Sequence, residues 1–252
     1  MSAVSRPTST RSVRTLRLFE RFTLGQRWEH VLLLVSFIVL ALTGLVQKYR
    51  TEPISQQLLA TPEALITIRN IHHFFAVVLT LEVLYHLARA IYLLARRRMS
   101  SAMFPTWQDV KDAGHMIKYL VYLTNKKPKF GKYNFEQKFT YWFLFFGIGI
   151  MVLTGFIIWF PIQVTNVMSG GVVPAAKLTH STEAVVAVVF VLIWHGYHVL
   201  FERLNLSMFT GRLNEADMRE HHTEEYERLT GQSVPPKNED SSIEESNGGG
   251  RA

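Results

Sequence analysis

The chain has 252 residues, 48% of them hydrophobic and 12% aromatic, with a formal net charge of +7 and no cysteine. That length fits one or two domains of ~100–200 residues. The absence of thiols excludes disulfides, thiolate zinc sites, iron–sulfur ligation and covalent c-type haem attachment, so any redox centre is held by other ligands.

Residues 1–29 form a basic N-terminal segment with six arginines against Glu20 and Glu29. The mean hydropathy of +0.10 averages polar segments with four apolar stretches, each close to the ~20 residues that carry a helix across a bilayer. The first, 30–47, has no charge; it is too long for a signal peptide and lacks a small-residue cleavage site, so it is expected to remain in the membrane. The second, 71–95, is apolar apart from Glu82, Arg89 and three histidines. An amphipathic surface helix is expected near 107–123, with Trp107 at headgroup level. The third span, 139–161, is uncharged and stops at Pro161, and the fourth, 180–201, contains Glu183 and three histidines. Lipid offers the backbone no partners, so outside a closed barrel these spans must be helices. The expected fold class is all-α, an integral membrane four-helix bundle with its membrane domain over 30–211. The remainder, 212–252, reads as a polar, largely disordered cytoplasmic tail, most clearly from Gly231 onward. No internal repeat is evident beyond paired histidines.

Charge gives the bundle a direction. Segments 1–29 and 96–138 hold sixteen Lys and Arg, whereas the loops on the other side hold only Lys48, Arg50, Arg69 and Lys177. The positive-inside rule therefore places both termini in the cytoplasm. Residues 202–252 carry a net −5 and the rest of the chain +12. The basic excess thus serves topology, and nucleic-acid binding is not expected.

Six of the ten histidines lie within or at the ends of the spans: His30, His72, His86, His180, His195 and His198. Polar groups at membrane depth are costly and mark function. Fourteen residues separate His72 from His86, about 21 Å along a helix and ~40° around it. His180 and His198 are five whole turns apart, and His195 lies ~60° around from His180. With alternating helix directions, His72 and His180 meet near the outer surface, while His30, His86, His195 and His198 gather near the inner one. Pairs of axial imidazoles in two layers suit two b-type haems with irons roughly 20 Å apart, or three if all four inner histidines bind. A polar pathway of inter-helix hydrogen bonds is the alternative. His73 faces away from His72 as a headgroup or supporting contact, and His115, His221 and His222 read as solvated. Glu82, His86 and Arg89 share one stripe of span two, as an ion pair reaching the inner interface, a haem-propionate contact or a proton route. Glu183, one turn after His180, is placed to orient that ligand or to face the outer water.

Four stretches carry a family resemblance: RWEH running to LTG (27–44), IHHFFA (71–76), GKYNFEQKFTYW with TGFIIWFP (131–161), and H-x14-H-x-Y (180–197). In these the chain resembles the gamma, membrane-anchoring cytochrome b subunit of respiratory formate dehydrogenase, and more broadly the di-haem cytochrome b subunits of hydrogenase and thiosulfate reductase. The resemblance implies that His72 and His180 bind the outer haem iron and His30 and His195 the inner one, with Asn134 and Gln137 at a quinone site. His86 and His198 have no role in that pattern and stay open as alternative inner ligands. Two departures stand out: Glu136 replaces a small residue, and the fourth span has one residue more between its histidines, so a helix bulge near His195 is expected.

The expected function is an electron-transfer subunit of a respiratory oxidoreductase complex in the bacterial inner membrane. It would connect an outer-surface iron–sulfur or multihaem c-type subunit, and through it a catalytic subunit, to the quinone pool. A stand-alone quinol-oxidising cytochrome b and a histidine-lined transporter are the alternatives.

Overall fold

In the computed structural model, residues 17–98, 101–125, 128–201 and 204–234 are described. Helix α1 (Leu24–Lys48) is followed by a short α2 (Pro53–Leu58) and the 34-residue α3 (Pro62–Ala95). Next come α4 (Trp107–Leu120), α5 (Phe135–Trp159) and the short α6 (Pro161–Thr165). Helix α7 begins as α-helix over Val172–Phe190 and is prolonged by π turns at Val191–His195 and Tyr197–Phe201. The helices α1, α3, α5 and α7 are each long and apolar enough to cross a membrane. The expected four-helix membrane bundle is what forms.

Each spanning helix begins before its apolar stretch does, and in α1, α3 and α5 capping chemistry rather than hydropathy sets the start. Thr23 and Gln26 form a capping box on α1, Thr61 caps α3 with Pro62 in its first turn, and Asn134 and Gln137 form a second box on α5. Each satisfies amide donors that a helix start leaves orphaned. The expected surface helix is α4, which is joined to α5 by an ion pair of 2.8 Å between Lys138 and Asp109.

Helix α1 packs on α3 and α5 on α7, giving two hairpins side by side with α1 also touching α7. On α1, Leu32, Val35, Ile38 and Leu42 remain exposed while Ser36 is fully buried. Small residues at the seam and large apolar ones outside are what lipid solvation favours.

Four crossings return the chain to the end where it began, here called the proximal end. There β1 (Leu18–Glu20) pairs antiparallel with β2 (Arg212–Asn214), Leu18 opposite Asn214. Strand β2 follows a helical turn, α8 (Ser207–Thr210), and Gly211, whose φ of 77° only glycine adopts easily. The Gly211 carbonyl accepts from the amides of Arg21 and Phe22. Then come α9 (Glu215–His221) and α10 (Thr223–Thr230).

The largely disordered tail expected from residue 212 is therefore structured as far as residue 234, and 235–252 lie outside the described residues. Leu213, Met218 and Tyr226 form a small core with Phe19 and Val234 packed against it. Three apolar residues spread over fourteen positions are too sparse for any hydropathy window, yet they converge once β1 supplies a partner. His222 corrects another expectation: it is fully buried, with Nδ1 3.0 Å from the Gly131 carbonyl.

Candidate functional site

At the end of the bundle away from the termini, the distal end, a cavity of about 720 Å³ opens between α1, α3, α5 and α7. It lies in the size range of small-molecule and cofactor sites, ~300–1,000 Å³. His72 from α3 and His180 from α7 line it and face each other, with ring centroids 6.4 Å apart and planes at 74°. Two imidazoles on opposite sides of one metal, each bonded at ~2 Å, have ring centres ~6 Å apart. The two rings thus already stand at the separation of axial ligands.

Their orientation is fixed from the neighbouring helices. The Thr43 hydroxyl donates to the Val39 carbonyl at 2.7 Å and lies 2.9 Å from His72 Nδ1. The Thr154 hydroxyl donates to the Ile150 carbonyl at 2.7 Å and lies 3.0 Å from His180 Nδ1. Each hydroxyl proton being committed to a carbonyl, each threonine oxygen accepts from Nδ1–H, which leaves the Nε2 lone pair for the cavity. This is the outer support that metal-ligating histidines generally have.

The residue after each threonine is a glycine. A Cβ on Gly44 would stand 3.2 Å from His72 Cε1, and one on Gly155 3.2 Å from His180 Cε1. The same Thr-Gly device thus serves both hairpins. LTG and TGF stand in spans one and three of the sequence, but nothing there marks their shared purpose.

Lys48, Arg69 and Lys177, in the distal turns of α1, α3 and α7, also line the cavity. Their charges match carboxylates such as haem propionates. A facing imidazole pair, tautomers set by threonine and a cationic margin together fit a b haem. His73 turns aside and stacks on Trp159 at 4.1 Å. Glu183 does not orient His180, whose Nδ1 belongs to Thr154; its Oε1 instead lies 2.8 Å from where a Gly147 Cβ would be.

The proximal layer is more crowded. His30 lies in α1 and His195 closes the first π turn of α7, within electrostatic reach of each other. The bulge expected from the extra residue is present at that position. A π turn absorbs one residue and so re-aims the side chains beyond it. Among the described residues His30 Nδ1 is buried without a hydrogen-bond partner.

His86 differs. Its Nδ1 is 2.8 Å from Glu29 Oε2 and its Nε2 is 3.0 Å from the Tyr141 hydroxyl. Arg89 donates to the other oxygen of Glu29 at 2.8 Å. The charged stripe of span two therefore pairs with α1 rather than within itself, and Glu82 is buried beside it. His198 sits edge-on to Trp194 with Nδ1 4.0 Å from Glu136 Oε2.

Asn134 and Gln137 have an evident local duty. Asn134 Oδ1 accepts from the Gln137 amide at 2.8 Å, and Gln137 Oε1 accepts from the Asn134 amide and from Arg21, both at 3.3 Å. Asn134 Nδ2 donates to Glu136 at 3.0 Å, which leaves its second proton uncommitted among the described residues. The segment is clamped from the C-terminal side. His222 reaches Gly131, the Glu224 amide donates to Phe130, and Lys129 pairs with Glu227 at 3.0 Å. Just before the cap, burial pushes the Tyr133 phenol above its usual range.

Comparison with known proteins identifies the family. The family model described as prokaryotic cytochrome b561 matches residues 21–211. The cytochrome b556(Fdn) subunit of the nitrate-inducible formate dehydrogenase of Escherichia coli (strain K12) is 22% identical over 201 residues, covering 79% of this chain and 86% of the relative. The cytochrome b556(fdo) subunit of formate dehydrogenase from the same strain is 25% identical over 210 residues, covering 83% and 92%.

Proposed function

Because the chain belongs to the prokaryotic cytochrome b561 family, and is thus a bacterial multi-pass membrane protein of electron transfer built around haem b, we propose that it links a redox partner at its distal surface to a quinone pool at its proximal end. The observation carrying this reading is the His72–His180 pair, facing at 6.4 Å with both Nδ1 atoms held by threonine. Bound b haem supplies one-electron chemistry without exchanging protons with a substrate.

His72 and His180 hold the distal iron, and Lys48, Arg69 and Lys177 neutralise carboxylates at the margin of that pocket. His30 and His195 hold the proximal iron. His86 is the weaker candidate because Glu29 and Tyr141 occupy both of its nitrogens, and His198 is turned toward Glu136. The spare Asn134 Nδ2 proton faces a quinone carbonyl, while Gln137 holds the helix start that aims it. With the basic loops at the proximal end, that end faces the cytoplasm of an inner membrane. Lacking cysteine, the chain relies on a partner with iron–sulfur clusters or c-type haems and on a catalytic subunit, of the kind the formate dehydrogenase relatives suggest.

Haem quantitation by pyridine haemochrome on purified variants tests this. The wild type should hold two b haems per chain. His72→Ala or His180→Ala should remove one, and His30→Ala or His195→Ala the other. Haem loss confined to His86→Ala and His198→Ala would overturn the assignment, and a wild type lacking a b-type α-band would overturn the whole reading.

A further inference from the structure

Outside the two imidazole pairs, the described residues hold one further group with metal-ligand chemistry. One ligand atom each from Glu29, Glu82 and His86 lies within 4.8 Å of the others, at the proximal end of α1 and α3. Glu82 retains only 8% of its surface, and no hydrogen bond reaches its carboxylate among the described residues. A carboxylate so enclosed beside a second carboxylate is costly to keep ionised, and a cation between the two would relieve that cost. Arg89 and His86 pair with the two oxygens of Glu29, whereas no ion pair within 4.0 Å reaches Glu82 among the described residues.

The surroundings have the form of a metal site's outer support. Ligating histidines hand their second nitrogen to a polar partner and ligating carboxylates are themselves hydrogen-bonded. Here His86 Nε2 is 3.0 Å from the Tyr141 hydroxyl, and Glu29 Oε1 accepts from Arg89 at 2.8 Å. His86 Nδ1 and Glu29 Oε2, paired at 2.8 Å, lie with an oxygen of Glu82 inside one group, so a metal ion would take the place of the proton that this pair shares. His86 keeps 32% of its side chain exposed.

We propose that Glu29, Glu82 and His86 form a binding site for a divalent transition-metal ion, with Zn²⁺ the ion of choice, separate from the haem irons. One imidazole and two carboxylate oxygens with room for water make an open zinc site with bonds of ~2.0–2.2 Å, reached by small rotations of the two glutamates. Among nitrogen and oxygen ligands Zn²⁺ outcompetes Mn²⁺ and Fe²⁺, whereas Mg²⁺ and Ca²⁺ prefer oxygen alone. The ion would tie α1 to α3 beside His30, so zinc availability would act on the end of the bundle where quinone is proposed to react.

Equilibrium dialysis of the purified, haem-loaded protein in detergent against Zn²⁺, with metal counted by mass spectrometry, tests the site. One zinc per chain is expected, with a zinc K-edge spectrum showing a nitrogen and oxygen shell containing imidazole. Glu82→Gln and His86→Ala should each weaken binding at least ~10-fold, and Tyr141→Phe ~10-fold through the lost support. His115→Ala on the surface helix should change nothing. The b-haem spectrum of each variant reports that it has folded. Absence of stoichiometric zinc in the wild type overturns the proposal, as does zinc that survives both ligand substitutions. Loss of a haem in His86→Ala also overturns it, because His86 would then be an iron ligand.

Discussion

The distal and proximal ends of the bundle solve opposite problems. Distally, two imidazoles meet in a roomy cavity, each held by one threonine and cleared by one glycine, and the supporting contacts stay within each hairpin. Proximally, the histidines share their space with Glu29, Glu82, Arg89, Tyr141 and Glu136; His86 reaches across the hairpins to Tyr141, and His30 meets Phe209 of the C-terminal segment. The distal end is organised to hold a cofactor and little else. The proximal end is organised around charge, as expected where protons, ions or a polar headgroup must be handled.

The sharpest way to break this contrast is to remove the distal threonines. Thr43→Val and Thr154→Val keep shape but lose the acceptor for Nδ1–H, and each should weaken distal haem retention ~10–100-fold. Thr→Ser should restore it, and the proximal haem should be unaffected. Haem titration followed by the split of the α-band would show this; equal loss of both haems would mean the two ends are not independent.

A smaller effect is expected from the other side. Tyr226 is fully buried, with its hydroxyl donating to Glu215 at 2.8 Å and lying 2.9 Å from the Gln232 side-chain amide. Tyr226→Ala should destabilise the proximal cap by about 3–5 kcal/mol, read as faster hydrogen exchange and proteolysis over 204–234. The distal haem should keep its spectrum; its loss would show that the cap supports the entire bundle.

The smallest effect is a response to acid. Burial would raise the Asp109 carboxyl, but the Lys138 ammonium and the hydroxyl and amide of Thr106 hold it below the usual carboxylate range. A lowered folded value stabilises the α4–α5 contact above the ordinary carboxylate range, and that contribution is lost as pH falls through the lowered value. Exchange protection of α4 should therefore drop at low pH by less than about fivefold in the wild type, and Asp109→Asn should remove the pH dependence.

Much of this was legible in the sequence, for reasons that differ by region. Lipid makes hydropathy a one-dimensional signal, so all four spans could be read; their starts could not, because Thr23, Thr61 and Asn134 act through local hydrogen bonds. Histidine depth and spacing indicated the facing pair, and one surplus residue before His195 pointed to the π turn. Thr43 and Thr154 were invisible as supports because their duty depends on which helix each one neighbours. Glu29 was hidden for the same reason: its partners lie 57 and 60 residues away. The α9–α10 segment escaped because its core borrows Phe19 from the opposite end of the chain.

That borrowing also sets an order of events. Strand β1 is made early but can pair only after β2, some two hundred residues later, has followed the fourth span out of the ribosome. Contacts so distant in sequence close late. The clasp is thus a record that the fourth crossing has been made: a chain that stalled before it would keep an unpaired N-terminal strand and an unlatched Tyr133 segment.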